Sequence, residues 1–184
     1  MKRVRLFALL SAVAVMAAGG VTVASSPGAA FAADDFLRIE NVATGMCLQP
    51  VDGSIDAGAA IVQVPCGTDP AQGWSFRHPP RHTLPIVITN ERSGLCLDAR
   101  GGAANGTPIQ QWPCVGISNE SWDTPGDDSQ IYALRSFVGG FDGPSYCVDV
   151  PNQQAISGLA MQLYRCNGTA AQAWAIGIGI VVQS

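Results

Sequence analysis

The 184-residue sequence predicts an all-β protein built from one unit repeated three times. Two observations carry this. The segments Cys47–Trp74, Cys96–Trp122 and Cys147–Trp174 are versions of one another: Gly58, Gly106 and Gly158 each stand eight residues before the second cysteine, and Trp74, Trp122 and Trp174 each stand eight after it. Short apolar runs, separated by Gly, Pro, Asn and Asp clusters, read as strands, and no segment sustains a helical period. A period near 50 residues marks a supersecondary unit that buries its apolar face against its neighbours. Three such units make one closed body.

Taken in order, the chain opens with a basic start (MKRVR) and an apolar run from Leu6 to Ala18, and Ala30-Phe31-Ala32 offers a small-x-small cleavage site. Residues 1–32 are therefore expected to be a secretory signal peptide, leaving a single domain at 33–184 and a secreted, extracellular product. Membrane insertion of that mature chain is not expected, since no later run is apolar and long enough. The repeats span about 36–80, 85–128 and 131–180. The strand candidates are Phe36–Glu40, Pro85–Thr89, Ile131–Arg135 and Ile176–Val182, with surface loops at 77–85, 123–129 and 138–145. The last run, AIGIGIVV, alternates isoleucine with glycine and is expected to pair with the first strand around Leu37 and Ile39. Three Asn-x-Ser/Thr acceptor patterns, at Asn105, Asn119 and Asn167, fall in polar turns.

Without residues 1–32 the chain carries seven arginines against fourteen acidic residues, a net of −7, and no lysine. Such a surface repels phosphate backbones and anionic lipid, so no nucleic-acid partner is expected, and neutral ligands fit. Six cysteines in an exported chain imply an oxidising compartment and a disulfide framework. Fifteen pairings are possible. The repeat selects Cys47 with Cys66, Cys96 with Cys114 and Cys147 with Cys166, because only pairing inside each unit treats the copies alike. Each closed loop restricts the unfolded chain by roughly 3 kcal/mol in the entropy model. No cysteines lie at the two-to-four spacing of zinc clusters, and no metal or cofactor is expected.

The repeats resemble those of the ricin-type β-trefoil lectins, whose hallmark is a Gln-x-Trp triplet closing each copy. Here the triplets are Gln72-Gly73-Trp74, Glu120-Ser121-Trp122 and Gln172-Ala173-Trp174, the middle one exchanging an amide for a carboxylate. The resemblance implies a pseudo-threefold β-trefoil of twelve strands, four per copy, with three intra-repeat disulfides and the three tryptophans in the core. It also implies a shallow sugar pocket per repeat. Its chemistry is intelligible: an ionised Asp accepts from neighbouring sugar hydroxyls, an aromatic ring covers the C–H face, and an amide supplies donor and acceptor together.

By that resemblance the Asp lies two residues after the first cysteine and the aromatic two before the second. The middle copy then offers Asp98, Gln110, Trp112 and Asn119, and the last copy Asp149, Gln162, Tyr164 and Asn167. Ala171 takes the place of Asn119 in the last copy. The first copy has Gln49 and Val64 in the two principal slots and is expected to be silent. Asp98 and Asp149 would equally suit backbone turns, whereas Trp112 is a fourth tryptophan beyond the three core ones and suits a stacking plate. Glu120 is either a satisfied buried carboxylate or a strain on its repeat.

Enzymatic chemistry finds little support. His78 and His82 are four apart, but Pro79 and Pro80 break the helix that spacing would need. No Gly-x-Ser-x-Gly elbow is present, and Asp127-Asp128 reads as a solvated turn. The expected function is non-catalytic recognition of neutral galactose-, xylose- or arabinose-type glycans at two of three pockets. The alternative is a protein-binding trefoil, such as a secreted protease inhibitor or an accessory subunit that accompanies a separate secreted protein. An Asp and an aromatic retained in the same slots of two copies favour sugar.

Overall fold

The computed structural model describes residues 36–78, 85–126, 130–138, 140 and 143–177. They belong to one of the chain's two units, Asp35–Ser184; the other, Met1–Asp34, lies outside them, as do the expected signal peptide, His82 and Asp127-Asp128. The first repeat contributes β1 (Arg38–Asn41), β2 (Met46–Pro50), β3 (Ile61–Pro65) and β4 (Trp74–Arg77). The second contributes β5 (Val87–Asn90), β6 (Cys96–Ala99), β7 (Thr107–Trp112) and β8 (Trp122–Asp123). The third contributes β9 (Ile131–Tyr132), β10 (Arg135–Ser136), β11 (Tyr146–Asp149), β12 (Gln162–Arg165) and β13 (Trp174–Gly177).

The described residues thus hold thirteen strands where twelve were expected, because the first strand of the third repeat is split. Tyr132 pairs with Trp174 and Ser136 with Trp122. In the first repeat the same two contacts come from one run, Leu37 meeting Trp74 and Asn41 meeting Trp174; in the second, Ile86 meets Trp122 and Asn90 meets Trp74. Between β9 and β10, Ala133 gives its N–H to the Pro125 carbonyl, the bond of an isolated antiparallel bridge between Tyr132 and Gly126. The architecture is still the β-trefoil: four strand positions per repeat, three times over.

Each tryptophan closes its repeat onto the next. Its backbone pairs with the first strand of its own repeat on one side and of the following repeat on the other, and Trp174 returns the chain to β1. The described part of the final run, through Gly177, accordingly pairs with the first strand, Ile176 opposite Ile39 as expected, while Leu37 bridges Trp74 instead; residues 178–182 of that run lie outside the described residues. The indole Nε1 atoms of Trp74, Trp122 and Trp174 donate to the carbonyls of Leu48, Leu97 and Val148 at 3.0, 2.9 and 3.1 Å. A buried indole needs such an acceptor, and all three rings are fully buried. Around them pack equivalent triples: Ile39, Ile88 and Leu134; Leu48, Leu97 and Val148; Ile61, Ile109 and Met161. Each such side chain contributes about 1.5–3 kcal/mol of apolar burial.

The repeated glycines link repeats in the same cyclic sense. Gly58 donates its N–H to Gln111 O, Gly106 to Leu163 O and Gly158 to Gln63 O, at 2.8, 2.9 and 2.8 Å. All three adopt left-handed φ, +87°, +84° and +85°, which side chains disfavour. The amides of Gln63 and Gln111 reinforce the joint: Gln63 Nε2 donates to Gln154 O and Ile156 O, Gln111 Nε2 to Ser54 O and Asp56 O. The disulfides are Cys47–Cys66, Cys96–Cys114 and Cys147–Cys166, as the repeat requires, with Cα separations of 5.0, 5.2 and 5.1 Å.

A Cβ at Gly106 meets open space, whereas one at Gly58 lands 3.6 Å from Trp112 Cζ3. Gly106→Ala is therefore expected to destabilise the chain by the left-handed penalty alone, about 1–2 kcal/mol. Gly58→Ala is expected to cost about the same, since its Cβ would make only an ordinary contact with Trp112. Denaturant unfolding followed by tryptophan fluorescence measures both; unchanged stability in Gly106→Ala would contradict the argument.

Candidate functional site

Strand register assembles the middle site. In the β6–β7 hairpin Asp98 lies opposite Gln110 and Cys96 opposite Trp112. Directly opposed residues share a face and side chains two apart return to it, so Asp98, Gln110 and Trp112 emerge together above the Cys96–Cys114 bridge. Gln110 Nε2 donates to Asp98 Oδ1 at 2.7 Å. Both polar groups are buried, while Trp112 is 41% exposed. The ring packs against Gly58 on one side and stays open beside a fixed carboxylate on the other.

The third repeat repeats the construction. Asp149 lies opposite Gln162 and Cys147 opposite Tyr164 in the β11–β12 hairpin. Gln162 Nε2 donates to Asp149 Oδ1 at 2.9 Å, and Gln172 Nε2 to Asp149 Oδ2 at 3.1 Å, so both carboxylate oxygens are held in place. Tyr164 is 40% exposed. These groups line an open hollow of about 200 Å³ together with Asn167 and Ala171. Asn167 gives its backbone N–H to Gln172 Oε1 at 2.9 Å and accepts at Oδ1 from Thr169 N and Thr169 Oγ1, which leaves its Nδ2 as donor.

Four further residues line this hollow that the sequence reading did not single out: Val150, Asn152, Gln153 and Thr169. Asn152 and Gln153 hold left-handed φ, +53° and +55°, in a tight turn after Pro151. The Pro-Asn dipeptide was the available signal, since Asn tolerates that conformation. The first repeat lacks the constellation. Val62 stands opposite Gln49 and Val64 opposite Cys47, and Gln49 Oε1 accepts from Gln72 Nε2 at 3.3 Å. An amide pair and two valines replace carboxylate and ring.

The Glu-for-Gln exchange alters the middle site's electrostatics. Glu120 is buried and satisfied: its carboxylate accepts from Val115 N at 2.9 Å and Gly116 N at 2.8 Å, as Gln72 and Gln172 accept from Gly67 N and Asn167 N. It has no N–H to offer Asp98, however, where Gln172 serves Asp149. Burial pushes the Asp98 carboxyl above its ordinary 3.8, the Gln110 hydrogen bond pulls it down, and the Glu120 charge pushes it up further. Glu120 is thus both satisfied and a strain on its neighbour. Asn119, half-buried in the turn Ser118–Glu120, occupies the position that Ala171 holds at the rim of the third hollow.

A carboxyl raised on folding stabilises the fold fully below its unfolded value, and that contribution is lost as pH rises through the folded value. Glu120→Gln removes the charge and supplies the missing donor. The substitution is therefore expected to raise stability near neutral pH by about 1 kcal/mol. Variant and wild type should converge as pH falls toward the ordinary carboxylate value and Asp98 takes up its proton. Thermal unfolding from about pH 4 to pH 8 checks this; a gain that persists undiminished in acid would contradict it.

Comparison with known proteins agrees with the fold. A family model described as ricin-type beta-trefoil lectin domain-like matches residues 30–112 and 82–142. Nigrin b of Sambucus nigra is 46% identical over 39 residues, a stretch that is 21% of this chain and 7% of that protein, so the chain spans a small part of that relative's length. Among solved structures, the designed threefold-symmetric protein ThreeFoil superposes with a TM-score of 0.72 at 20% identity, covering 79% of this chain and 99% of that one. The exo-beta-1,3-galactanase 1,3Gal43A from Clostridium thermocellum gives 0.71 at 23% identity, covering 78% and 30%. The Macrolepiota procera ricin B-like lectin, solved in complex with lactose, gives 0.62 at 20% identity, covering 77% and 94%. The structural likenesses establish the trefoil, and with the family model spanning the first two repeats and the opening of the third, more than half of the chain, the chain belongs to the ricin-type beta-trefoil lectin domain-like family.

Proposed function

We infer that the protein is an exported carbohydrate-binding module that holds neutral glycans at its middle and third repeats and makes or breaks no bond. The observation that carries this reading is the amide-braced aspartate beside an exposed ring, present in the same register in two repeats: Asp98, Gln110 and Trp112, and Asp149, Gln162 and Tyr164. Fixed acceptors cost little reorganisation when a sugar's vicinal hydroxyls arrive, and the ring covers the C–H face. The bracing amide keeps its own carbonyl to accept from a further hydroxyl.

A non-catalytic role is supported by how the carboxylates are used. Glycoside hydrolysis needs two carboxyl groups facing one another across the scissile bond. In the middle repeat Glu120 is committed to the Val115 and Gly116 amides, and in the third repeat the partner of Asp149 is the amide of Gln172. The acidic surface supports neutral rather than anionic glycans. Galactose-, xylose- and arabinose-type polymers all present the hydroxyl pairs this geometry fits. Retention then rests on both pockets engaging one polymer or one cell surface, where effective concentration multiplies modest single-site affinities.

Asp98→Ala and Asp149→Ala should each silence one pocket, lowering its affinity by about one to two orders of magnitude, the worth of hydrogen bonds to a charged acceptor. The double variant should pass through a glycan column that retards wild type, with its far-ultraviolet circular dichroism unchanged. Retention equal to wild type in the folded double variant would overturn the assignment.

A further inference from the structure

The tripeptide Asn-Gly-Thr occurs at 105–107 and again at 167–169, and the fold holds the two copies in opposite ways. In both, the asparagine and the glycine are exposed. In both, the glycine adopts left-handed φ, +84° at Gly106 and +70° at Gly168. Local sequence, exposure and glycine conformation therefore do not distinguish them. Their hydrogen bonds do.

In the first copy Asn105 Oδ1 accepts from the backbone N–H of Arg165 at 2.8 Å, and Gly106 N donates to Leu163 O at 2.9 Å. The strand β12 thus occupies both the side-chain carbonyl and the peptide nitrogen that follows it. Thr107 turns elsewhere, giving its hydroxyl to Gly102 O and its N–H to Ala104 O. In the second copy Thr169 gives both its N–H and its hydroxyl to Asn167 Oδ1, at 3.0 and 2.8 Å. An asparagine oxygen that accepts from the N–H two residues on folds its side chain back over the intervening peptide. Gly168 N meets no acceptor among the described residues.

That arrangement is set for an intramolecular acyl transfer. A peptide nitrogen can attack the side-chain carbonyl carbon of the asparagine before it, and glycine, lacking a Cβ, leaves the approach open. Negative charge then develops on Oδ1, where two donors already point, and donors fixed at a developing oxyanion lower the barrier. We propose that Asn167 is a site of spontaneous deamidation through a cyclic imide, and that β12 protects Asn105 in the same tripeptide. The bond from Gly168 N to Asn167 Cγ forms as that nitrogen gives up its proton; the bond from Cγ to Nδ2 breaks, and ammonia leaves with the proton. Water then adds to either carbonyl of the imide and opens it to an aspartate or an isoaspartate.

The change falls in the third pocket. Asn167 lines the same hollow as Asp149, so the reaction exchanges an amide donor for a second carboxylate there. Val115 takes the corresponding place in the middle repeat, its N–H accepted by Glu120 as that of Asn167 is by Gln172, and it has no amide to lose. Resting on the carbohydrate reading above, ageing of the protein silences the third pocket and spares the middle one.

Peptide mapping by mass spectrometry follows the amide-to-acid exchange at each position in the full chain held at mildly alkaline pH. In the folded protein Asn167 should convert at least about tenfold faster than Asn105, the worth of one hydrogen bond to a developing charge. In the reduced, denatured chain the two should convert at equal rates. Thr169→Val, at an exposed position, removes one donor and should slow Asn167 about tenfold. Asn105 converting as fast as Asn167 in the folded chain, or Thr169→Val without effect, overturns the proposal. For the pocket, Asn167→Asp in the Asp98→Ala background should weaken binding about tenfold on whichever of immobilised galactan, xylan and arabinan retains wild type. Unchanged retention beside a confirmed conversion overturns the silencing alone. Wild type that deamidates as stated and binds no glycan overturns the carbohydrate reading and leaves the deamidation standing.

Discussion

The structure depends on the double engagement of each triplet tryptophan. Its backbone is shared between the first strand of its own repeat and that of the next, while its indole N–H reaches back to the second strand. One residue per repeat thereby sets barrel closure, repeat order and core filling at once. No repeat completes its own hydrogen bonding. A unit of this size cannot bury enough apolar surface alone, and the cyclic arrangement lets three units share one core.

The pocket follows from that closure. With the hairpins β6–β7 and β11–β12 fixed, the period of two along a strand determines which side chains meet outside. Asp98 and Gln110, like Asp149 and Gln162, face each other because they are opposed in register; the rings follow because they sit two residues further along. Nothing in this requires a flexible loop. The rim differs: it comes from the turn after the second cysteine, where residues change without disturbing the ladder, and this is where the two repeats diverge.

The threefold repeat specified the disulfides and the recurring glycines by position, and the family resemblance placed the tryptophans in the core and paired Asp98 with Trp112 and Asp149 with Tyr164; the left-handed backbone of the glycines came only with the structure. What was not legible was geometry that depends on distant partners. Gln63 and Gln111 are buried polar residues whose amides bind the loop of another repeat, 91 and 57 residues away, and no local pattern announces such a contact. The split of the third repeat's first strand likewise arises from the Ala133 contact with Pro125, not from the composition of the strand. The consequence of Glu120 lay hidden for the same reason, because only the fold brings its charge to Asp98.

The sulfur bridges have a consequence beyond restricting the unfolded chain. Cys96 is the residue opposed to Trp112, and Cys147 the residue opposed to Tyr164. Each bridge therefore anchors the hairpin margin from which the ring projects. Reduction would free those margins and return roughly 3 kcal/mol per bridge to the unfolded chain, so ring placement and fold would weaken together.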